Sequence, residues 1–297
     1  MGSGSLFAKW ISSFSNGRIM RWTPGGLSKN IEDRRGSSGG GGFGMAPMGI
    51  GGAIILLVLS LVFGVDLTGG NGGGGGSPVP QSSGGEVAGS IAESPEEHQL
   101  VQFVSFVLDS AQSAWHQRLP DYHDAKMVLY RQGTPTGCGF GQSAAGPFYC
   151  PADETVYLDL SFFNEMKSRL GAQGDFAQAY VIAHELGHHI QHQAGIDTQL
   201  KNAGGSENAK SVQLELQADC FAGVWGNMAA KKNQLEQGDV EEGLNAASRI
   251  GDDVLQKQST GVVRPETFTH GSSAQRTAAL RRGLDSGDPN QCKIGTF

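Results

Sequence analysis

Two histidines and a glutamate near the middle of the chain have the spacing of a metal-dependent hydrolytic site. They lie in the segment His184-Glu185-Leu186-Gly187-His188. On a helix, residues four apart share a face, so both imidazole rings can bind one metal ion. Zinc takes neutral imidazole and, in catalytic sites, keeps a position for water, whose proton a neighbouring glutamate can accept. The pattern predicts one zinc ion per chain, with His184 and His188 as ligands and Glu185 as general base.

The two histidines that follow this motif do not fit as the third zinc ligand. His192 is eight residues beyond His184, which in a continuous helix places it about 12 Å further along the axis. The extended zinc motif needs a glycine at position 191 and a histidine at position 194, which are Gln191 and Ala194 here. We therefore expect His189 and His192 to be solvated, or to support the ligands without binding the metal.

A pair of acidic residues further along the chain supplies a better third ligand. Glu215 lies 27 residues after His188 (215 − 188 = 27), and Asp219 follows it by one helical turn. Glu215 can bind the metal while Asp219 accepts the outer N–H of a zinc-bound imidazole, which fixes the tautomer of that ring. The alternative is an acidic pair on a solvated helix face, but the surrounding residues are mostly apolar.

The elements that must position these residues are mainly helices. Ser94, Pro95 and Glu97 form a helix start, with an N-cap, a proline at the first position and the glutamate of a capping box. Apolar residues then recur at helical spacing as far as Trp115. Further helices are predicted at 162–170, 175–194, 207–231, 240–256 and 274–284, and short strands at 126–130 and 154–160. Helices outnumber strands, so the predicted class is α+β with a small sheet.

Three further residues are candidates for contact with a substrate. The strand at 154–160 would be an edge strand that pairs with an extended peptide, or else part of an ordinary core sheet. Tyr157 on this strand is a candidate substrate contact. His270, in a loop before the last helix, is a candidate second donor to the oxyanion, and Arg276 is a candidate partner for a substrate carboxylate. The alternative for His270 is a structural or surface histidine, and the alternative for Arg276 is a cap on its own helix.

The segment 45–65 has no charged residue and enough apolar residues to span a bilayer as a helix. A buried core helix and a cleaved signal peptide are the alternatives. Arg18, Arg21, Lys29, Arg34 and Arg35 precede the segment, and no lysine or arginine follows it before Arg118. The positive-inside rule then predicts a single-pass protein of the cytoplasmic membrane, with the N-terminus inside and the large domain outside, in the periplasm or at the cell surface.

Composition divides the chain into four predicted parts. Residues 1–44 read as a polar, disordered cytoplasmic leader, 45–65 as the transmembrane helix, 66–92 as a Gly/Ser/Pro-rich linker, and 93–297 as the catalytic domain. The formal charge of −7 and the lack of a basic block argue against nucleic acid as a partner. The sequence does not indicate an oligomeric state.

The four cysteines are even in number, and none forms a Cys-x-x-Cys pair. Outside the cytoplasm they would form two disulfides with three possible connectivities, whereas in a cytosolic protein they would be free thiols. We favour Cys138–Cys150, which closes a Gly/Pro-rich loop, and Cys220–Cys292, which ties the C-terminal tail to a helix.

Several segments together resemble a known family, the neutral zinc metallopeptidase family of YpfJ-like proteins. The matching segments are MRWTPGGLSKNIEDRRG at 20–36, GPFYCP at 146–151, AHELGHHIQ at 183–191, LELQADCFAGVW at 214–225 and FTHGSSAQR at 268–276. The resemblance implies a zincin-like, mostly helical domain, zinc bound by His184, His188 and Glu215, and Glu185 as catalytic base. Residues 1–19 precede the region of resemblance, which makes Met20 a second candidate for the start of translation.

The predicted function is therefore that of a membrane-anchored zinc metallopeptidase, which hydrolyses peptide bonds in a peptide or protein substrate. Two other functions are compatible with the sequence. One is a membrane-tethered scaffold in which zinc only stabilises the fold, although Glu185 has no purpose in such a site and structural zinc normally has four protein ligands. The other is an amidase that acts on non-peptide amides, such as those of the cell wall.

Overall fold

The computed structural model describes residues 19–36 and 93–293, and all of its strands precede residue 160. The strands are β1 (Ile31–Asp33), β2 (Lys126–Tyr130), β3 (Gly133–Thr136), β4 (Gly139–Gln142), β5 (Phe148–Cys150) and β6 (Thr155–Asp159). The helices are α1 (Pro95–His116), α2 (Ser161–Arg169), α3 (Asp175–Gln193), α4 (Ile196–Asn202), α5 (Glu207–Lys231), α6 (Asp239–Arg249), α7 (Asp252–Thr260) and α8 (Ser273–Ser286). The described residues are mostly helical with a small sheet, as predicted.

The larger sheet has the strand order β1-β2-β6-β5. β1, β2 and β6 run parallel, with Val128 of β2 opposite Tyr157 of β6, and β5 pairs antiparallel with β6. β6 therefore lies inside the sheet, and all five of its residues are buried. Of the two alternatives for this strand, the structure shows the core sheet and excludes the edge open to a substrate. Its pairing with β2 joins segments distant in sequence, so no local pattern could reveal its interior position.

Most predicted helices agree with the structure to within two residues at each end. The exception is the helix predicted at 240–256, which is two helices, α6 and α7, separated at Gly251. An added Cβ at Gly251 would lie 2.5 Å from the Cα of Ser273, at the start of α8. The close passage of α8 requires glycine here, and the chain turns rather than continuing the helix.

The start of α1 agrees with the prediction in part. The Ser94 hydroxyl accepts a hydrogen bond from the N–H of Glu97 at 3.1 Å, and Pro95 is the first helical residue. The Glu97 carboxylate, however, accepts hydrogen bonds from Arg35 and Arg131. The capping box is thus only half formed, because a guanidinium is a stronger partner for a carboxylate than a main-chain N–H.

Residues 19–36 are an ordered part of the domain, which corrects the prediction of a disordered leader for this stretch. β1 pairs in parallel with β2, and the guanidinium of Arg35 is buried among Asp33, Glu93 and Glu97. Two segments of one sheet lie on the same side of any membrane. The pairing therefore does not agree with a leader inside and a catalytic domain outside, joined by one crossing.

Within the residues that the structure describes, no helix is both long and apolar enough to cross a bilayer. The predicted transmembrane segment at 45–65 lies outside the described residues, as do 1–18, 37–44 and the whole linker predicted at 66–92.

The helical core is built around α5, which packs against α3 on one side and α8 on the other. α5 and α8 approach most closely at two glycines. A Cβ added to Gly223 would lie 2.7 Å from the main-chain nitrogen of Leu284, and one added to Gly283 would lie 2.7 Å from that of Val224. The contact between the two helices is therefore between their backbones.

Both favoured disulfides are present. Cys138–Cys150 joins the β3–β4 turn to β5, and Cys220–Cys292 joins α5 to the last 3₁₀ turn of the described chain. The second bridge closes the end of the α5–α8 unit.

Candidate metal centre

α3 carries both histidines of the motif on the face that packs against α5. Their ring centroids are 4.8 Å apart, as the spacing of four residues in a helix requires. His184 is buried, and His188 is partly exposed. The pair therefore has one side in the core and one side that solvent can reach.

Glu215 reaches the two imidazoles because α3 and α5 are in close contact at Gly187. A Cβ on Gly187 would lie 2.9 Å from the Cα of Ala218, so any other residue would push the helices apart. At this separation the Glu215 carboxylate lies between the rings, with Oε2 3.2 Å from His184 Nε2 and Oε1 3.5 Å from His188 Nε2. The structure thus brings together the three residues predicted as zinc ligands, with their candidate ligand atoms within 4.8 Å of one another.

Hydrogen bonds on the outer side of each ring orient the Nε2 atoms toward this centre. The Nδ1–H of His184 donates to Asp219 Oδ1 at 2.8 Å, and the Nδ1–H of His188 donates to Gln191 Oε1 at 2.9 Å. With the proton on Nδ1, each ring presents the lone pair of Nε2 to the centre, which is the tautomer that a metal ion needs. Two imidazoles and a carboxylate, so oriented, fit the donor set of a catalytic zinc site.

Asp219 is held in turn by two residues that contact its carboxylate. Arg276 donates to it from Nε and Nη2, both at 2.9 Å, and the Tyr180 hydroxyl donates to Oδ1 at 2.5 Å. The role predicted for Asp219 agrees with this geometry. The role predicted for Arg276 does not, because Arg276 is only 3% exposed and its charge is paired inside the protein. It cannot bind a substrate carboxylate.

In this network, burial and the neighbouring charges shift the pKa values of His184 and Asp219 in opposite directions. Burial lowers the pKa of His184, but the carboxylates of Asp219 and Glu215 outweigh it and raise the pKa to about 10. Burial raises the pKa of Asp219, but Arg276 and His184 outweigh it and lower the pKa to about 2. A proton and a metal ion compete for His184 Nε2, so metal affinity must fall as the pH falls.

Glu185 is buried next to the two histidines. Burial raises its pKa above the usual value, and the charges of His184 and His188 partly oppose this effect. A carboxyl group with a raised pKa beside a metal site suits proton transfer near neutral pH.

His270 is held in the loop before α8 by an aspartate at the start of α7. Asp252 Oδ2 accepts the N–H groups of Thr269, His270 and Gly271 at 2.7, 2.7 and 3.0 Å, and Oδ1 lies 3.4 Å from His270 Nδ1. Burial lowers the pKa of His270, but the carboxylates of Glu215 and Asp252 raise it overall. The charges of His270 and the predicted ligand Glu215 therefore act on each other.

Tyr157 is excluded as a substrate contact by the side of the sheet on which it lies. Tyr149 of β5 contacts His189 of α3, so Tyr149 and its partner Val156 face the metal helix. Tyr157 is the next residue and faces the other way, where its ring stacks on Phe148 and its hydroxyl donates to Asp153.

The two extra histidines of α3 are not part of the metal centre. His189 is buried and hydrogen-bonded to the Tyr149 hydroxyl and to the main-chain oxygen of His123, which excludes the solvated alternative for this residue. His192 contacts Asp197 at 3.1 Å. Both hold the surroundings of α3 in place.

Sequence reasoning missed two residues that orient the ligands. Tyr180 lies one turn before His184 and contacts Asp219, and Gln191 lies three residues after His188 and accepts its Nδ1–H. Gln191 also donates to the main-chain oxygen of Leu214 and to Gln217 on α5. Their helical spacing from the histidines was a usable signal, because residues three and four apart share a face.

Comparison with known proteins places the chain in a family. Residues 20–297 match the model of the family described as "Putative neutral zinc metallopeptidase". The chain is 51% identical to the protein YpfJ of Escherichia coli (strain K12) over 288 residues, which cover 92% of this chain and 98% of that protein. It is 40% identical to the protein Mb2605 of Mycobacterium bovis over 195 residues, 62% of this chain and 67% of that one. No solved structure matches it. The chain belongs to the neutral zinc metallopeptidase family.

Proposed function

We propose that this protein is a zinc-dependent peptidase with one metal centre per chain, bound by His184, His188 and Glu215. The observation that carries the proposal is the convergence of these three side chains from two helices, with both Nδ1 atoms engaged elsewhere. A purely structural zinc site would not need Glu185 buried beside the ligands, and it would normally have a fourth protein ligand. Family membership supports zinc and peptide hydrolysis at the level of the family.

The reaction that fits this site is hydrolysis of an amide bond by water. Zinc held by His184, His188 and Glu215 would supply Lewis-acid chemistry to activate water and polarise the carbonyl of the scissile bond. Glu185 accepts the proton of the attacking water and passes it to the nitrogen of the leaving amine. Asp219, held by Arg276 and Tyr180, fixes the orientation of His184 throughout.

We assign His270 as a donor to the oxyanion that develops during attack. Asp252 Oδ1 lies 3.4 Å from its Nδ1 and favours a protonated ring, and three hydrogen bonds to Asp252 fix its loop. Preorganised donors of this kind typically contribute about 10²–10³ to kcat. Substitution of His270 by Ala should therefore lower kcat by that factor and leave bound zinc unchanged.

We also propose that the domain works outside the cytoplasm, as its two disulfides favour. Attachment to the cytoplasmic membrane through 45–65 remains a prediction, and any attachment must leave residues 19–36 and the domain on one side. Protease digestion of intact cells, with cleavage sites placed at Gly25 and at Gly204, tests this arrangement. Cleavage at both sites supports the proposal. Cleavage at neither site agrees with the sheet pairing but contradicts a domain outside the cytoplasm, and cleavage at Gly204 alone contradicts the sheet pairing.

A metal-exchange assay on the full chain tests the peptidase proposal. The purified protein is incubated with a broad peptide library before and after chelation and again after addition of zinc. We expect cleavage that chelation abolishes and that one equivalent of zinc restores. Stoichiometric zinc without cleavage would favour the scaffold, or the amidase if a non-peptide amide is hydrolysed instead.

A further inference from the structure

A second group of acidic side chains lies at the N-terminus of α3, whereas the metal centre lies at the middle of that helix. Asp175 is the first residue of α3, Asp239 is the first residue of α6, and Glu242 follows in the first turn of α6. One carboxylate oxygen from each lies within 4.8 Å of the other two. Burial raises the pKa of all three carboxyl groups. The charge of Asp239 adds to this for Asp175, whose pKa is about 6, and the charges of Asp175 and Asp239 add to it for Glu242, whose pKa is about 7.

The main chain of Met20 enters this group of carboxylates. Its nitrogen donates to Asp175 Oδ2 at 2.6 Å, and the residue is only 1% exposed. The next residue is also fixed, because the N–H of Arg21 donates to the main-chain oxygen of Gln234 at 2.7 Å. The preceding residue, Ile19, is 55% exposed. The Met20 nitrogen is thus the point where the chain passes from the surface into the core.

An amide at this position leaves the acidic group poorly satisfied. The other hydrogen bonds to its carboxylates come from the main-chain N–H groups of Phe176 and Glu236. Asp239 has no exposed surface, yet its Oδ1 has no hydrogen-bond partner among the described residues, and neither does Oδ1 of Asp175. A buried carboxylate oxygen without a partner is costly.

An ammonium group at the same position would change this balance. It would bring three N–H donors and a positive charge to a place where the amide brings one donor and no charge. We propose that Asp175, Asp239 and Glu242 form a binding site for the free α-amino group of Met20, in a form of the chain that begins at that residue. The family match also begins at residue 20.

Two routes lead to the same amino group. Translation can start at Met20, or hydrolysis of the Ile19–Met20 peptide bond can consume one water and leave a carboxylate on Ile19 and an ammonium on Met20. A divalent cation bound by the three carboxylates is the rival occupant. The Met20 nitrogen lies 2.6 Å from Asp175 Oδ2, so that oxygen already accepts a hydrogen bond from the main chain. This position favours the amine over a cation.

Labelling of the α-amine tests the proposal directly. The form that begins at Met20 is treated, folded, with an amine-reactive ester, and labelling of its N-terminal peptide is followed by mass spectrometry. The acidic group should raise the pKa of the α-amino group, and each unit of that rise lowers the unprotonated, reactive fraction of the amine about tenfold. We therefore expect labelling at least about tenfold slower than for the unfolded chain. Asp239→Asn should restore fast labelling. If Asp239→Asn does not fold, Glu242→Gln replaces it in the same test. Fast labelling of the folded protein would overturn the proposal.

Thermal unfolding separates the amine from a metal ion. We expect the Met20 form to unfold at a higher temperature than the chain that retains residues 1–19, and Asp239→Asn to remove the difference. Calcium that raises the unfolding temperature of both forms, together with fast labelling, would identify a cation site and contradict the proposal.

The N-terminus of the protein expressed from the full coding sequence, with or without Met20→Leu, identifies the route. Loss of the short form in the Met20→Leu variant indicates a translation start. A short product of that variant that begins at the substituted residue indicates cleavage. A product of the unchanged sequence that keeps residues 1–19 entirely would also overturn the proposal.

Discussion

Asp219 links the metal centre to the rest of the protein. Its carboxylate accepts hydrogen bonds from His184, Arg276 and Tyr180 at once, and it has no exposed surface. A charge buried in this way is tolerated because it is paired and fully hydrogen-bonded. At the scale of single residues, the site is therefore preorganised by groups that do not bind the metal themselves.

Asp219→Asn should lower zinc affinity by about 10- to 100-fold, the usual effect of losing the outer partner of a ligating histidine. Gln191→Ala should do the same through His188 and leaves the pair of Asp219 and Arg276 intact. Competition with a chelating dye measures the affinities, and His192→Gln, on the same helix but outside the centre, is the control. Equal affinity in the unchanged chain and all three variants would show that the outer hydrogen bonds do not matter.

At the scale of elements, the contact between α5 and α8 depends on glycine. Gly223→Ala should reduce the free energy of unfolding by about 1–3 kcal/mol, because its Cβ would meet backbone atoms that cannot move alone. Gly204→Ala is the control, since no heavy atom lies within 4 Å of the added Cβ, and it should change stability by less than about 0.5 kcal/mol. Urea denaturation measures both. Similar losses for the two variants would contradict close backbone packing.

The attachment of β1 to the domain depends on Arg35. Arg35→Met should cost about 3 kcal/mol at neutral pH, since it leaves the carboxylates of Asp33, Glu93 and Glu97 without their buried partner. Arg34→Met, whose partner Glu32 is exposed, should cost less than about 1 kcal/mol. Denaturation of both variants beside the unchanged chain gives the comparison.

The free energy of unfolding that Arg35→Met removes should also depend on pH. Burial raises the pKa of Asp33 and Glu93, but hydrogen bonds from Arg35 hold both below their usual values. Such carboxylates stabilise the fold above their unfolded pKa of about 4, and this contribution is lost as the pH falls through the lower folded values. The difference between Arg35→Met and the unchanged chain should therefore shrink below about pH 4. A difference that is constant with pH would refute the ion-pair explanation.

The features that the sequence could predict are the local ones, and those it could not predict depend on contacts between distant segments. α3, α5 and the ligand set follow from local periodicity and spacing, and the Glu215–Asp219 spacing even indicated the partner of His184. The interior position of β6, the break at Gly251 and the burial of Arg276 all depend on contacts between distant segments. The ordered segment at 19–36 was missed for the same reason, because β1 gains its stability only by pairing with β2.

At the scale of the whole molecule, two disulfides close loops of very different length. Cys220–Cys292 spans 72 residues and Cys138–Cys150 spans 12. Loop-closure entropy predicts that double substitution by serine costs about 4 kcal/mol for the first bridge and about 3 kcal/mol for the second. Thermal unfolding of the two variants tests this order. A larger loss at Cys138–Cys150 would show that local geometry outweighs loop length.

The most direct test of the metal centre and its chemistry is a paired measurement on Glu185→Gln. Zinc content and peptide hydrolysis are determined for the unchanged chain, for Glu185→Gln and for the control Glu96→Gln, which alters an exposed residue at the start of α1. We predict one zinc per chain in all three proteins, with hydrolysis lowered by about 10²–10⁴ in Glu185→Gln alone. Full activity in Glu185→Gln, or the absence of bound zinc from the unchanged chain, would contradict the assignment of this site.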